Sequence, residues 1–225
     1  MNRFISAFFF GNIFYGVCTV ALSIESNLQH KVSLNSYRFY ILIFLATILY
    51  YGRIYYKSSV VAIDERNKWY RLHRPTIRIA LVILSIILIA DAAYITYINR
   101  QFLLSMPMYY WSLLGIVPLV GLMYTFQVFP VKKLRRIGWL KPFIIGFVWA
   151  GVVTIFPILF WQIRHPDEVA PGLLTKILLW LQNFLFISTL AIIFDIKDQK
   201  SDKRLHLNTF PATYGITKTI RYSVI

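Results

Sequence analysis

Six long apolar runs dominate this chain of 225 residues and restrict it to a membrane-spanning fold. A helix needs about 20 mostly apolar residues to cross the ~30 Å hydrocarbon core of a bilayer. The runs have that length, and nearly all charged residues lie between them. They are Ile5 to Ile24, Tyr37 to Tyr56, Ile77 to Ile98, Met106 to Phe129, Phe143 to Ile163 and Leu173 to Phe194. We therefore expect an all-α, polytopic membrane helical bundle with about six transmembrane helices and the start of a seventh.

The composition supports an integral membrane protein and argues against a soluble globule, because 58% of the residues are hydrophobic and only 15% are charged. The formal net charge of +15 does not indicate a nucleic-acid-binding surface, since the basic residues lie in short loops between apolar runs. We expect membrane lipid, and no nucleic acid, around this chain. The single cysteine, Cys18, excludes an intrachain disulfide.

The loop charges predict the orientation of the chain. Lysine and arginine prefer the cytoplasmic side of a membrane. The basic loops are those after runs two, four and six, whereas the other loops carry few cations. This alternation predicts a cytoplasmic-membrane protein with a cytoplasmic N-terminus and a cytoplasmic active face.

Two aspects of the chain's extent stay open. The first run also has features of a signal peptide, because Ala21-Leu22-Ser23 resembles a small-residue cleavage site. Internal repeats and low-complexity stretches are absent, so we expect one integral-membrane domain over residues 1–225, either naturally short or truncated at its C-terminal end.

An acidic cluster follows the last apolar run in this otherwise basic chain. It contains Asp195, Asp198 and Asp202. If the helix of run six continues through it, the three positions fall within an arc of roughly 60°. Carboxylates on one face repel one another unless a cation lies among them, and magnesium accepts such ligands together with substrate phosphates. The cluster therefore indicates either a magnesium and diphosphate site or a solvated helix with Asp–Lys pairs.

A few polar residues lie within the apolar runs. Asn12 lies in the first run, Asp91 in the third, and Gln182 and Asn183 in the sixth. Polar groups are costly against lipid and should face the protein interior. We expect a structural hydrogen bond for each of them more than a role in a cavity.

The aspartate segment resembles a known motif. Asp195-x-x-Asp198-x-x-x-Asp202, followed by Thr209-x-Pro211 and Gly215, is similar to the second aspartate-rich motif of the UbiA superfamily of intramembrane prenyltransferases. A looser match is Tyr124-Thr125 with the basic residues before Gly138-Trp139. The resemblance spans roughly residues 37 to 215, and its specific part is the aspartate motif.

The resemblance implies a helical bundle in which magnesium holds a prenyl diphosphate. It assigns Asp195, Asp198 and Asp202 as magnesium ligands. The basic residues that it implies for the diphosphate are Lys132, Lys133 and Arg135.

The segment at the end of run two departs from the family pattern. Tyr51 to Lys57 has no carboxylate where the family's first aspartate-rich motif belongs. Three explanations stay open: Asp64 and Glu65 replace the motif, Arg53 and Lys57 bind the diphosphate directly, or catalysis has been lost.

The function that we expect is a magnesium-dependent transfer of an isoprenyl group from a prenyl diphosphate to an aromatic or other lipophilic acceptor. The alternative is a catalytically inactive homologue that binds isoprenoid or quinone lipids or scaffolds a membrane partner. A small transporter would need several paired intramembrane charges, and only Asp91 is a candidate.

Overall fold

The computed structural model describes residues 3–59, 65–125, 138–204 and 208–224, and within these ranges all side chains except those of residues 198, 200–204 and 222–224. The described residues form helices and no strand. The helices are α1 (Arg3–Phe10), α2 (Ile13–Gln29), α3 (Tyr37–Ser58), α4 (Glu65–Leu72), α5 (Arg74–Ile98), α6 (Arg100–Ser105), α7 (Met108–Thr125), α8 (Lys141–Ala150), α9 (Phe156–Arg164), α10 (Leu173–Arg204), α11 (Phe210–Tyr214) and α12 (Ile216–Val224). A π-helical turn, Gly151–Ile155, joins α8 to α9.

Among the described residues, five helical segments are long and apolar enough to cross a membrane. They are Tyr37–Ser58, Arg74–Ile98, Met108–Thr125, Lys141–Arg164 and Leu173–Lys197. A sixth candidate is the bent pair of α1 and α2, if both helices belong to one span. The all-helical, membrane-spanning class is thus confirmed for the described residues, whereas the exact span count, the orientation and the UbiA-like arrangement stay predictions.

The first apolar run does not form one continuous helix, although its uninterrupted hydropathy predicts one. α1 and α2 meet at an angle of 56°. Asn12 lies at the break with a φ of 63°, in the left-handed region that asparagine tolerates better than most residues. Its side-chain amide donates a 2.8 Å hydrogen bond to the hydroxyl of Tyr70 in α4. The structural role that we expected for Asn12 is therefore confirmed, and it includes the bend.

Local sequence signals explain where several helices begin. Ser36 precedes α3, and its hydroxyl accepts a hydrogen bond from the backbone N–H of Phe39 at 3.5 Å. Pro75 and Pro142 lie in the first turns of α5 and α8. Proline is tolerated there because its position needs no intrahelical N–H donor.

The chain divides into two compact units. The first unit comprises Met1–Met106 and Pro157–Val169, and the second comprises Pro107–Phe156 and Ala170–Ile225. One membrane domain can contain two such units, so the expected single domain over 1–225 stays a prediction.

In the first unit, the buried face of α2 consists of small and polar residues, whereas its exposed residues are mostly apolar. Its buried residues are Gly16, Thr19, Ser23, Ser26 and Asn27. Thr19 shares a 3.1 Å hydrogen bond with Thr47 of α3, and Gly16 lies against the ring of Phe44. Membrane helices associate through small residues and interhelical hydrogen bonds because lipid already solvates apolar side chains.

The first unit also contains a charged pair within its apolar helices. Arg38 of α3 donates to Asp91 of α5 at 3.0 Å, and the Asp91 side chain is only 8% exposed. The Arg38 guanidinium lies 4.0 Å from the ring centroid of Tyr94. The prediction that Asp91 faces the protein interior is confirmed.

In the second unit, α8 and α10 pack closely along their length. Gly146 of α8 lies against Ser188 of α10, and Gly151 lies against Val117 of α7. Asn183 of α10 donates a buried 2.9 Å hydrogen bond to Thr154 of the π-helical turn. Asn183 thus has the structural hydrogen bond that we expected, whereas Gln182 is exposed.

Candidate functional site

The aspartate motif lies on an uninterrupted continuation of the last apolar helix. α10 runs from Leu173 to Arg204 and so includes positions 195, 198 and 202. At about 100° per residue these positions share one face, as the helical reading of the sequence predicts. The side chains of Asp198 and Asp202 lie outside the described part, so Asp195 defines the geometry of the site.

Asp195 is buried and forms an ion pair with Lys141. The Lys141 ammonium nitrogen, Nζ, lies 2.5 Å from the Asp195 carboxylate oxygen Oδ1. The Asp195 side chain is 3% exposed, whereas the Lys141 side chain is 34% exposed. The carboxylate is therefore enclosed by protein, and the lysine extends from the surface to reach it.

Two positions on the chain make this pairing possible. Lys141 is the first residue of α8, and Asp195 lies near the polar end of the long helix α10. The absence of a side chain at Gly146 allows α8 to approach α10, because a Cβ there would lie 2.8 Å from the backbone oxygen of Phe184. The close helix packing brings the lysine and the aspartate within contact distance.

The segment after α10 folds back against the start of α8. Thr209 is buried, and a Cβ at Gly138 would lie 2.6 Å from its backbone nitrogen. Gln199 of α10 donates a 2.7 Å hydrogen bond to the backbone oxygen of Pro211. Gly215 ends α11 with a φ of 81°, which glycine adopts without strain. The residues that carry the family resemblance, Thr209, Pro211 and Gly215, therefore lie in one folded segment beside the helix that carries Asp195.

Aromatic side chains extend from this segment into the helices. The ring of Phe210 lies 6.1 Å from that of Phe143 in an edge-on arrangement, and Phe143 lies 6.2 Å from Phe184. Trp180 stacks on Phe184 at 5.3 Å, and Phe147 lies 5.8 Å from Trp180. Stacked and edge-on rings of this kind form an apolar surface with electron-rich faces.

A cavity of about 450 Å³ lies beside these elements and is lined by Trp139, Asn208, Phe210, Thr213 and Tyr214. Trp139 precedes Lys141 by two residues, and Phe143 follows Lys141 by two residues. The ring of Phe143 contacts that of Phe210. The second unit thus combines an ion pair, an aromatic layer and a cavity within a short stretch of α8, α10 and α11.

The other predicted diphosphate partners are only partly described. Lys132, Lys133 and Arg135 lie within residues 126–137, outside the described part. Arg53 and Lys57 lie on the last turns of α3 in the first unit, and Arg53 donates to the Ser85 hydroxyl at 3.1 Å.

The carboxylates proposed to replace the first motif are also only partly described. Asp64 lies outside the described residues, and Glu65 begins α4 in the first unit.

The described side chains do not assemble the magnesium site that the motif implies. Among them, no group of three or more His, Cys, Asp or Glu residues is placed to hold a metal ion. The one described aspartate of the motif has a lysine nitrogen 2.5 Å from its carboxylate oxygen. Magnesium ligated by Asp195, Asp198 and Asp202 stays a prediction.

The sequence does not assign Lys141 to the site. Lys141 lies in the basic loop after run four, whose charge predicts only the orientation of the chain. A signal was nevertheless present, because Lys141 directly precedes Pro142 and the fifth apolar run. A lysine at that boundary is placed to extend along the end of a neighbouring helix.

The first unit contains a second polar cluster, around Tyr70 of α4. Burial raises the pKa of Tyr70 to about 12, and the hydrogen bond from Asn12 opposes that shift. The Arg66 guanidinium lies 4.4 Å from the ring centroid of Tyr55. Burial lowers the pKa of Arg66, but Tyr55 and Tyr15 outweigh it, so the pKa lies above its ordinary value. These contacts fix α4 against α1, α2 and α3.

No family model, no curated protein and no solved structure matches this chain.

Proposed function

We propose that this chain is an intramembrane prenyltransferase of the UbiA type, which transfers an isoprenyl group from a prenyl diphosphate to an aromatic or other lipophilic acceptor. The observation that carries the proposal is the ion pair between Lys141 of α8 and the buried Asp195 carboxylate of the motif-bearing helix α10. The motif's later residues, Thr209 and Pro211, fold back beside the same helix.

Burying a charged carboxylate is a costly way to hold two helices together. Removing a charge from water carries a penalty of several kcal/mol, which the mutual attraction often only offsets. An apolar pair of similar volume would serve packing equally well. Because Asp195 also belongs to the aspartate motif, we infer that this pair serves a function that needs charge at this point.

The residues around the Lys141–Asp195 pair suit a substrate that is charged at one end and apolar along the rest. A prenyl diphosphate has this character. Lys141 would neutralise oxygens of the diphosphate. Lys132, Lys133, Arg135, Arg53 and Lys57 stay diphosphate partners predicted from the sequence alone. The rings of Phe143, Phe184 and Trp180 would contact the isoprenyl chain.

The chemistry of the proposed reaction is a substitution at the allylic carbon C1. The C1–O bond of the prenyl diphosphate breaks, and its electron pair leaves with the diphosphate. An electron-rich atom of the acceptor forms a new bond to C1 and then loses a proton. Cationic side chains assist by stabilising the departing diphosphate, and aromatic faces stabilise the allylic cation.

The test is turnover of a radiolabelled prenyl diphosphate by membranes that contain the full chain. We expect labelled lipophilic product with the wild type and a loss of at least tenfold with Asp195→Ala and Asp198→Ala. Asp167→Ala is the matched control, because Asp167 is exposed in the loop after α9. Unchanged turnover in both site variants would refute the assignment of the site.

A second candidate function is favoured by one feature of the sequence. Tyr51 to Lys57 contains Arg53 and Lys57 but no carboxylate, where an active family member would have its first motif. A non-catalytic homologue would bind isoprenoid or quinone lipids, or scaffold a partner. It would bind a prenyl diphosphate at equilibrium without converting it.

A further inference from the structure

A basic cluster lies between two membrane-spanning candidates of the first unit. It consists of Arg66 and Lys68 in α4 and of Arg74 and Arg78 at the start of α5. We propose that this basic cluster binds the phosphate group of an anionic membrane phospholipid, and that α4 lies among the lipid headgroups. This inference does not depend on the proposed function.

The position of α4 brings the basic cluster to the end of two candidate spans. α3 and α5, which flank α4 in the chain, are both long and apolar enough to cross a membrane. Ser58 of α3 donates a 3.3 Å hydrogen bond to the side-chain oxygen of Asn67, and Arg71 donates to the backbone oxygen of Ser59 at 2.9 Å. These bonds hold α4 at the end of α3, where a span leaves the hydrocarbon core and meets the headgroups.

Two guanidinium groups of the basic cluster are held on aromatic rings in the last turns of α3. The Arg66 guanidinium lies 4.4 Å from the ring centroid of Tyr55, and the Arg74 guanidinium lies 4.5 Å from that of Tyr56. Stacking on a ring face orients a guanidinium without neutralising its charge. A loop charge that only sets membrane orientation needs no such fixed position. The two arginines are therefore placed to bind an anion.

The basic cluster has too few carboxylates nearby to balance it. Residues 53–78 contain seven lysines and arginines but only two carboxylates, Asp64 and Glu65. The ion pairs within the described part of the chain lie elsewhere, so no described carboxylate pairs with the four cations of the cluster. Arg74 and Arg78 are one helical turn apart on α5, a spacing at which like charges repel. A bound phosphate would relieve this repulsion.

Two side chains of α4 favour a lipid over a dissolved anion. Trp69 is half-buried, and Leu72 is 79% exposed. Tryptophan is typical of membrane–water boundaries, where an exposed leucine can contact acyl chains. Groups of about four to eight lysines and arginines beside a membrane helix typically bind anionic headgroups, and each cation strengthens the binding about fivefold. A phospholipid uses both kinds of side chain, whereas free phosphate uses only the cations.

The experiment is native mass spectrometry of the full chain in a neutral detergent. The protein is titrated with phosphatidylglycerol or with phosphatidylcholine of the same acyl chains, and the affinity for the first bound lipid is compared. We expect the wild type to bind phosphatidylglycerol about tenfold more tightly or better, because only this lipid has a net negative charge. Dissolved glycerol phosphate and equimolar farnesyl diphosphate should not displace it.

A double variant of the two stacked arginines identifies the residues responsible. Arg66→Gln/Arg74→Gln should lower the affinity for phosphatidylglycerol about 25-fold and leave the affinity for phosphatidylcholine unchanged. Arg66→Lys/Arg74→Lys keeps the charge and should retain most of the affinity. Lys31→Gln/Arg100→Gln is the matched control, because it removes two cations from exposed positions of the same unit. Arg100 also lies over a tyrosine ring, at 4.7 Å from the centroid of Tyr97.

A second double variant covers the case in which the first does not fold. Lys68 and Arg78 are exposed, so Lys68→Gln/Arg78→Gln should leave the fold intact. It should lower the affinity for phosphatidylglycerol about tenfold if the four cations act on the same phosphate.

Each remaining outcome would overturn the inference. Equal affinity for the two lipids, or equal losses in the cluster and control variants, would show that the cluster does not select an anionic headgroup. Displacement by glycerol phosphate would indicate a site for dissolved anions. Displacement by equimolar farnesyl diphosphate would indicate that the basic cluster belongs to a prenyl diphosphate site, which would support the proposed function instead.

Discussion

Gly146 of α8 lies directly against Ser188 of α10, so closely that a Cβ on the glycine would be 2.1 Å from the serine hydroxyl oxygen. The same Cβ would be 2.8 Å from the backbone oxygen of Phe184. The serine side chain can rotate away, but the backbone of α10 cannot do so without moving the helix. This contact therefore sets the distance between the two helices that carry Lys141 and Asp195.

Gly146→Ala is expected to destabilise the protein by about 1–3 kcal/mol, because the added methyl group overpacks a close helix contact. The measurement is the loss of helical circular dichroism on titration of the detergent-solubilised protein with sodium dodecyl sulfate. Gly115→Ala in α7 is the control, since its Cβ meets nothing within 4 Å. That variant should be neutral or slightly stabilised, and equal destabilisation of both would contradict the packing argument.

The Lys141–Asp195 pair should respond asymmetrically to the loss of each partner. Lys141→Gln removes the ammonium group beside the buried Asp195 carboxylate and should cost about 3 kcal/mol. Asp195→Asn leaves a lysine that is one-third exposed and can be solvated, so its cost should be about 1 kcal/mol. The double variant should be more stable than the sum of the single effects predicts. The same denaturant titration measures the stability of all three variants. Strict additivity of the two single losses in the double variant would show that the charges do not interact.

Alkaline pH should destabilise the first unit through Tyr70. Its pKa of about 12 in the folded chain lies above the ordinary tyrosine value of about 10. The unfolded chain therefore loses this proton first, so stability is fully present below pH ~10 and falls as pH rises towards ~12. The loss is about 2–3 kcal/mol over this interval. Ultraviolet absorbance titration should show the late-ionising tyrosine in the wild type and not in Tyr70→Phe, and its persistence in that variant would contradict the assignment.

Substitutions of Asn12 should separate backbone strain from hydrogen bonding at the bend. Asn12→Gly keeps the positive φ accessible but removes the bond to Tyr70, which should cost about 1–2 kcal/mol. Asn12→Ala adds the strain of a left-handed backbone and should cost about 1 kcal/mol more. Lys31 also has a positive φ, of 55°, so Lys31→Gly should be mildly stabilising as a control. Equal thermal stability of the two Asn12 variants would show that the bend does not depend on the backbone of this residue.

The positions of the long helices could be predicted from the sequence, because the bilayer thickness demands a minimum apolar length. The continuation of α10 through the aspartates was also predictable, since Asp195 to Arg204 contains neither proline nor glycine. By contrast, the break at Asn12 depends on a hydrogen bond to Tyr70, which is 58 residues away in sequence. Hydropathy contains no information about such a partner.

The candidate site was predictable only in part, because one of its two paired residues is distant in sequence from the other. Asp195 was identified from its spacing to Asp198 and Asp202, but its partner Lys141 is 54 residues away in sequence. A lysine before an apolar run is explained equally well by membrane orientation, so its charge alone did not distinguish the two roles. The buried polar stripe of α2 was missed because its serines and threonine are weakly polar on a hydropathy scale.

The most direct test of the central claim, that a prenyl diphosphate binds at the Lys141–Asp195 end of the second unit, is photoaffinity labelling of the full chain with a diazirine-bearing farnesyl diphosphate. Mass spectrometry of the digested protein locates the labelled peptides. We predict labels within residues 139–147 and 208–214 that disappear with excess unlabelled farnesyl diphosphate and weaken strongly in Lys141→Gln/Asp195→Asn. Labels that resist competition, or that fall only in the first unit, would contradict the account.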